Sequence, residues 1–173
     1  DAFGNLYIGT GSGSNSILKY AASGGVPGTS GTTVGSGFNT ISDIWIATDG
    51  KAYISDNAAN KLYQFASMES ATSPANALAS ASINFSSQIY IDSSNNLYVL
   101  STVDAGYNPD SGKVIKFPAV GGVVSLDSPA DFITGLNSPT AITGDSAGNI
   151  YVGDGDEFGG GDGHLYKFGS SGG

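Results

Sequence analysis

The sequence has no cysteine, which excludes disulfides, zinc–thiolate sites and iron–sulfur clusters. It has no arginine either. Its six basic residues are Lys19, Lys51, Lys61, Lys113, Lys116 and Lys167, set against 15 acids for a formal charge of −9. A basic face with bidentate arginine contacts cannot be built from that inventory, so nucleic acid is excluded as a partner and attachment to anionic lipid is disfavoured. Charged residues of both signs amount to 12% of the chain, about half the usual share. No apolar run approaches the roughly 20 residues of a membrane helix, so no membrane insertion is expected.

Glycine, at 27 residues, fills much of that space together with Ser, Thr, Asn and Ala. Such a mixture suits an all-β protein with many tight turns, and it is the composition of extracellular or cell-surface proteins, so secretion is the expected localisation. The chain opens on Asp1 and not on a start methionine, the expectation for a matured or trimmed product.

Two landmarks repeat in the same order four times. The first is Asp, then Gly or Asn turn residues, then an apolar–Tyr–apolar strand. It occurs at Asp1–Thr10, Asp49–Asn57, Asp92–Ser101 and Asp145–Asp154, anchored on Tyr7, Tyr53, Tyr98 and Tyr151. The second is a short strand ending in an aromatic residue, at Tyr20, Phe65, Phe117 and Phe168. The tyrosines are 46, 45 and 53 residues apart. Gly-Asn and Asn-Asn pairs flanked by alternating residues are hairpin signals, and the Asp heading each turn can bond its own backbone and fix the reversal. Ile46, Ile89 and Ile142 share one offset before the Asp, and the second turn reads as two residues shorter than the others. Each unit is expected to hold four strands, in the second unit Ile44–Thr48, Lys51–Ser55, Lys61–Phe65 and a looser one near Ala77–Phe85. No segment shows sustained helical periodicity.

A four-stranded unit of about 40–50 residues has the size of a β-propeller blade. Ser138–Asp154 followed by Leu165–Phe168 resembles the NHL repeat: proline, apolar strand, Asp, Gly-Asn, apolar-Tyr-Val, Asp, then an apolar strand closing on Phe. The expected fold is therefore all-β, a single propeller domain over 1–173 with blades at 1–40, 41–86, 87–137 and 138–173. The first blade keeps only its second to fourth strands and the last ends without its fourth. Three explanations stay open: part of a larger ring, six blades being usual for the resemblance, a compact four-bladed ring, or completion by a neighbouring copy, since open edges pair readily.

Candidate chemistry is sparse. His164, the one histidine, occupies the strand-leading position held by Lys61 and Lys113 in other units, so a structural role is expected. No strand–turn–helix nucleophile elbow accompanies it. Asp154, Asp156, Glu157 and Asp162 crowd into one glycine-rich hairpin loop that could offer oxygens to calcium, the one candidate cofactor; the plain alternative is a solvated acidic tip. Asp104 and Asp110 form a weaker version in the third unit. Gly9–Ser16 lacks the lysine and helix of a phosphate loop. Trp45 and Tyr90 are expected in leading strands as core residues ahead of a sugar-stacking role. Asn84-Phe85-Ser86 spells a glycosylation sequon.

The propellers that this repeat resembles include streptogramin lyase-like and gluconolactonase-like enzymes. The first resemblance implies catalytic histidine chemistry with a metal, the second Glu, Asn and Asp converging on a metal in a central channel. With one histidine, and with Glu69 and Glu157 as the only glutamates, both in loops, no catalytic residue can be matched. The expected function is a non-catalytic extracellular binding or structural scaffold, self-associating or engaging another surface protein or a glycan. The alternatives are a portion of a propeller enzyme of the lyase or lactonase type, and a calcium-dependent adhesin.

Overall fold

The structure is a computed structural model and describes residues 1–11, 13–102, 111–155 and 163–169. Among these, the regular structure is strand throughout except for one 3-10 turn at Pro74–Asn76, which opens on Pro74 and ends where Ala77 returns to extended backbone. The chain divides into two compact units, Asp1–Ser82 and Ile83–Gly173.

The first unit holds two antiparallel sheets. One is β1 (Leu6–Gly9), β2 (Ile17–Ser23) and β3 (Val26–Gly35); the other is β4 (Ile41–Ile46), β5 (Ala52–Asp56), β6 (Lys61–Phe65) and β7 (Ala79–Ser82). The second unit repeats the arrangement with β8 (Ser86–Ile91), β9 (Leu97–Ser101), β10 (Gly112–Phe117) and β11 (Ala130–Leu136), then β12 (Ser138–Gly144), β13 (Ile150–Gly155) and β14 (His164–Phe168). Every sheet runs in chain order by hairpins, and the first and last have three strands, as the repeat leads one to expect. This is a propeller-like all-β architecture.

Strand sequence follows strand position. β5 and β9 lie second in their sheets with neighbours on both edges, and all five residues of each are buried. The outer strand β3, VPGTSGTTVG, is polar and exposed over its first eight residues. In the first unit Ile17, Phe38, Ile41, Ile54, Phe65 and Met68 form the core; in the second Tyr98, Leu100, Val114, Ile133, Ile142 and Val152 do so.

Each turn between a sheet's leading strand and its second strand is five residues long, and its geometry recurs. In Asp92–Asn96, Oδ1 of Asp92 accepts the amides of Ser94 (2.9 Å) and Asn96 (2.8 Å), while Oδ2 accepts the Asn96 amide group (2.8 Å) and the Tyr98 hydroxyl (3.1 Å). Asp145 makes the same four bonds to Ala147, Asn149 (twice) and Tyr151. Asp1 binds Phe3 and Asn5 in the same way, with the Tyr7 hydroxyl 3.1 Å from its Oδ2. The fourth residue must be left-handed, and it is Gly4 (φ 83°), Gly50 (φ 85°), Asn95 (φ 61°) or Gly148 (φ 80°). The fifth-position asparagine also reaches forward: Oδ1 of Asn5 accepts Ala22 N–H at 2.8 Å and Oδ1 of Asn96 accepts Ala119 N–H at 3.0 Å.

The second turn corrects the sequence alignment. Ile46 pairs with Ala52 as Ile91 pairs with Leu97, so the turn is 47–51, the same length as the rest, and Ala47 stands where the others carry Asp. Its amide and carbonyl still make the turn bonds, to Lys51 O and from Gly50 N–H. Asp49 sits two positions later and grips Lys51 instead, through the backbone amide (3.1 Å) and the ammonium (2.6 Å). Ile44, not Ile46, is the register equivalent of Ile89 and Ile142.

A compensating change lies across the sheet. Lys19, Lys116 and Lys167 pair in register with Tyr7, Tyr98 and Tyr151, each ammonium 5.3–5.7 Å from the centre of that ring. Opposite Tyr53 the residue is neutral Gln64, whose amide donates to the Tyr53 hydroxyl at 2.8 Å. The unit that lacks the acid also lacks the lysine. Within each unit the two sheets touch through glycine: a Cβ on Gly144 would lie 2.5 Å from the Tyr90 hydroxyl, and one on Gly9 would lie 2.4 Å from the Ile41 side chain.

Two outcomes follow for stability. Asp92→Ala strands four donors and is expected to lower the unfolding free energy by about 2 kcal/mol in urea melts, whereas the exposed Asp49→Ala changes it by less than about 1 kcal/mol. Gly144→Ala forces Tyr90 aside and is expected to cost about 1–3 kcal/mol by the same measurement.

Candidate functional site

The leading strands β4, β8 and β12 share one irregularity. Pairing runs Ile41↔Asp56 then Asp43↔Ser55; Ser86↔Ser101 then Ile89↔Val99; and Pro139↔Asp154 then Ala141↔Gly153. Each strand thus carries one extra residue at the same place, a β-bulge, which twists the strand and re-aims the side chains beside it. The residues so placed are Ser42-Asp43, Ser87-Gln88 and Thr140-Ala141, of which all but Ala141 are polar.

Two of these side chains are held. The Asp43 carboxylate accepts the Ile44 amide at 2.8 Å. Gln88 Oε1 accepts the amide of Ile142, on the neighbouring sheet of the same unit, at 3.0 Å. Because the oxygen is fixed on an N–H donor, the Gln88 amide plane has one orientation, and its NH2 donates to no described residue. Trp45 is half-buried on β4 opposite Tyr53, and Tyr90 stacks on Tyr98 with ring centres 6.0 Å apart.

The end of the second strand β13 carries Asp154, the first residue of the expected calcium loop. Asp154 is buried, and its oxygens accept the amides of Asn137 (3.0 Å) and Ser138 (2.7 Å) at the start of β12. Asp56 does the same for Asn39 and Thr40, both at 2.8 Å. In the third sheet the equivalent is Ser101, whose hydroxyl is a donor to Asn84 O at 2.7 Å. Presenting a carbonyl in place of two amides turns the connection over and leaves Phe85 left-handed, φ 51°. Asn84 is exposed beside it; Ser86 is buried, its Oγ without a partner among the described residues.

Asp156, Glu157 and Asp162, the other residues of the expected calcium loop, lie outside the described residues, as do Asp104 and Asp110. Among the described residues no three His, Cys, Asp or Glu side chains gather as a metal site. His164 is exposed, pairs across the hairpin with Asp154 and stacks on Tyr166 at 5.7 Å. The anchors Tyr20, Phe65, Phe117 and Phe168 pair in register with Leu6, Ala52, Leu97 and Ile150, each one residue before the tyrosine of its sheet.

Sequence reasoning missed Glu69. It lies in the β6–β7 connection, yet its Oε1 accepts the Tyr7 hydroxyl at 2.7 Å and the Lys19 ammonium at 2.8 Å, both on the other sheet of the first unit. Separations of 62 and 50 residues carry no local signal. The hydrogen bond from Lys19, followed by that from Tyr7, lowers the Glu69 carboxyl from 4.5 to about 2. Burial first and the neighbouring Glu69 second raise the Tyr7 phenol, so it stays protonated at neutral pH. Tyr98 is raised by burial and by Asp92. Asp145 is lowered from 3.8 to about 2, chiefly by the Asn149 side chain.

No family model matches the chain, and no curated protein sequence matches it. Among solved structures it matches a luciferin-regenerating enzyme with a TM-score of 0.58 and 16% identity, over 96% of this chain and 58% of that one. The likeness is one of fold, and the chain spans a little over half the length of the enzyme it matches. The expected non-catalytic scaffold is corrected by this finding: the fold match is to an enzyme, which favours the alternative, a portion of a propeller enzyme. Few titratable residues stand behind the scaffold expectation, and the polar residues of the bulges do not enter such a count.

Glu69 and Asp145 bind protons less tightly folded than unfolded, so their stabilisation is complete above about pH 4.5 and is lost as pH falls through about 2. Thermal midpoints are therefore expected to be flat down to about pH 5 and to fall from there to pH 2. Glu69→Gln should flatten part of that fall and lower the midpoint at neutrality.

Proposed function

We propose that the chain is part of a propeller enzyme of the lyase or lactonase type, with a reacting group on the bulged leading strand β4 of the first unit, and that its repeat is of the NHL kind. The observation that carries this reading is the recurrence of one bulge with polar side chains beside it in a fold like that of an enzyme. In this reading Asp43 is the general base. Its carboxylate is oriented by the Ile44 amide and would take a proton from the attacking water or from carbon.

A lactonase resemblance calls for Glu, Asn and Asp around a metal. Of these three, β4, β8 and β12 carry Asp43 alone, so the described residues do not fit that centre and no step is derived through a metal.

The test is hydrolysis of a panel of five- and six-membered lactones by the full chain, followed by proton release. Turnover is expected, with kcat/KM reduced about a hundredfold in Asp43→Asn, while the urea midpoint holds. No turnover by the unaltered chain, or turnover indifferent to Asp43→Asn, overturns the assignment.

A further inference from the structure

In the first unit, at the turn end of the strands, a cleft of about 460 Å³ lies between Asp1–Phe3, the second turn and the Ser67–Glu69 connection. That volume lies in the range of small-molecule sites. It borders the one turn that departs from the repeat: where three turns place a carboxylate, Ala47 presents a methyl group to the cleft. The rest of the wall is divided by chemistry. Phe3 is 82% exposed, with Ile46 and Met68 beside it, giving an apolar surface. On the other side stands Glu69, whose Oε1 takes both Tyr7 and Lys19; its Oε2 accepts nothing from a described residue, and the side chain is 57% exposed.

Lys19 and Lys51 are each already paired, with Glu69 and Asp49 respectively, and the Asp1 α-ammonium is bonded to Asn5 O at 2.9 Å. A ligand entering here meets a carboxylate oxygen with room for one more donor, and an open aromatic face.

We propose that this cleft binds a small organic cation, an ammonium group on an apolar body, with the ammonium on Glu69 Oε2 and the body against Phe3 and Met68. Phe3 suits the apolar body through its exposed contact area. Ala47 is the residue that admits the ligand, since a larger side chain there would fill the space. The cleft does not include Asp43, the reacting group assigned on β4.

Calorimetric titration of the full chain with 2-phenylethylammonium tests this, with 2-phenylethanol and phenylacetate as the neutral and anionic counterparts. Saturable binding of the cation is expected, at least about tenfold tighter than of the alcohol, with no binding of the anion. Glu69→Gln should weaken the cation about tenfold, and Phe3→Ala should weaken it less. Because Glu69→Gln also breaks the contact to Lys19 and Tyr7, Ala47→Leu serves as the second variant: it leaves those groups in place and should abolish binding by filling the cleft. Equal affinity for alcohol and cation, binding unchanged in Ala47→Leu, or no saturation by about 10 mM would overturn the proposal.

Discussion

Everything in these sheets is referred to one interaction, a carboxylate at the head of a five-residue turn that gathers four donors. Asp92 and Asp145 each bind two backbone amides, an asparagine side chain and a tyrosine hydroxyl. The turn sets the register of leading and second strands, and register decides which face of each strand is buried. The tyrosine carries the constraint inward, because Tyr98 is buried and a lysine lies over its ring. Acid, phenol and ammonium thus form one unit across two strands. The second sheet shows this by omission: with Ala47 in place of the acid, the opposing residue is neutral Gln64, and the phenol is satisfied by an amide.

The repeat was legible because its parts are local. Tight turns, alternating strands and closing aromatics lie within a few residues of each other, so spacing alone exposed four sheets and the missing strands of the first and last. The second turn was misread because Asp49 looks like the head of the repeat; only the Ile46–Ala52 pairing shows it two positions late. Asp154 stands among acids and glycines, and acidity in a sequence does not say what an oxygen accepts. Its partners are two backbone amides 16 and 17 residues earlier. Glu69 was dismissed as a loop residue and joins two sheets. The bulges left no mark at all, since an extra residue in a strand appears only when the partner strand is placed beside it.

The chemistry of such a chain is set by position more than by quantity. A protein with few charges and one histidine can still orient an acid if a bulge re-aims it within its strand. The corresponding bulge of β8 fixes Gln88 against the neighbouring sheet of the second unit, so its orientation depends on how closely those sheets approach, and the bare Cα of Gly144 against Tyr90 permits that approach.

The five-residue turns also bear on how the chain reaches its fold. All the bonds within one turn, and the tyrosine bond that completes it, join residues no more than six apart. Hairpins closed over so short a span form in microseconds, well ahead of contacts between sheets. Each pair of first and second strands can assemble before its neighbours arrive. A nascent chain can therefore shelter its most apolar strands one repeat at a time, which limits the interval in which Leu97–Leu100 or Ala52–Ile54 is open to aggregation.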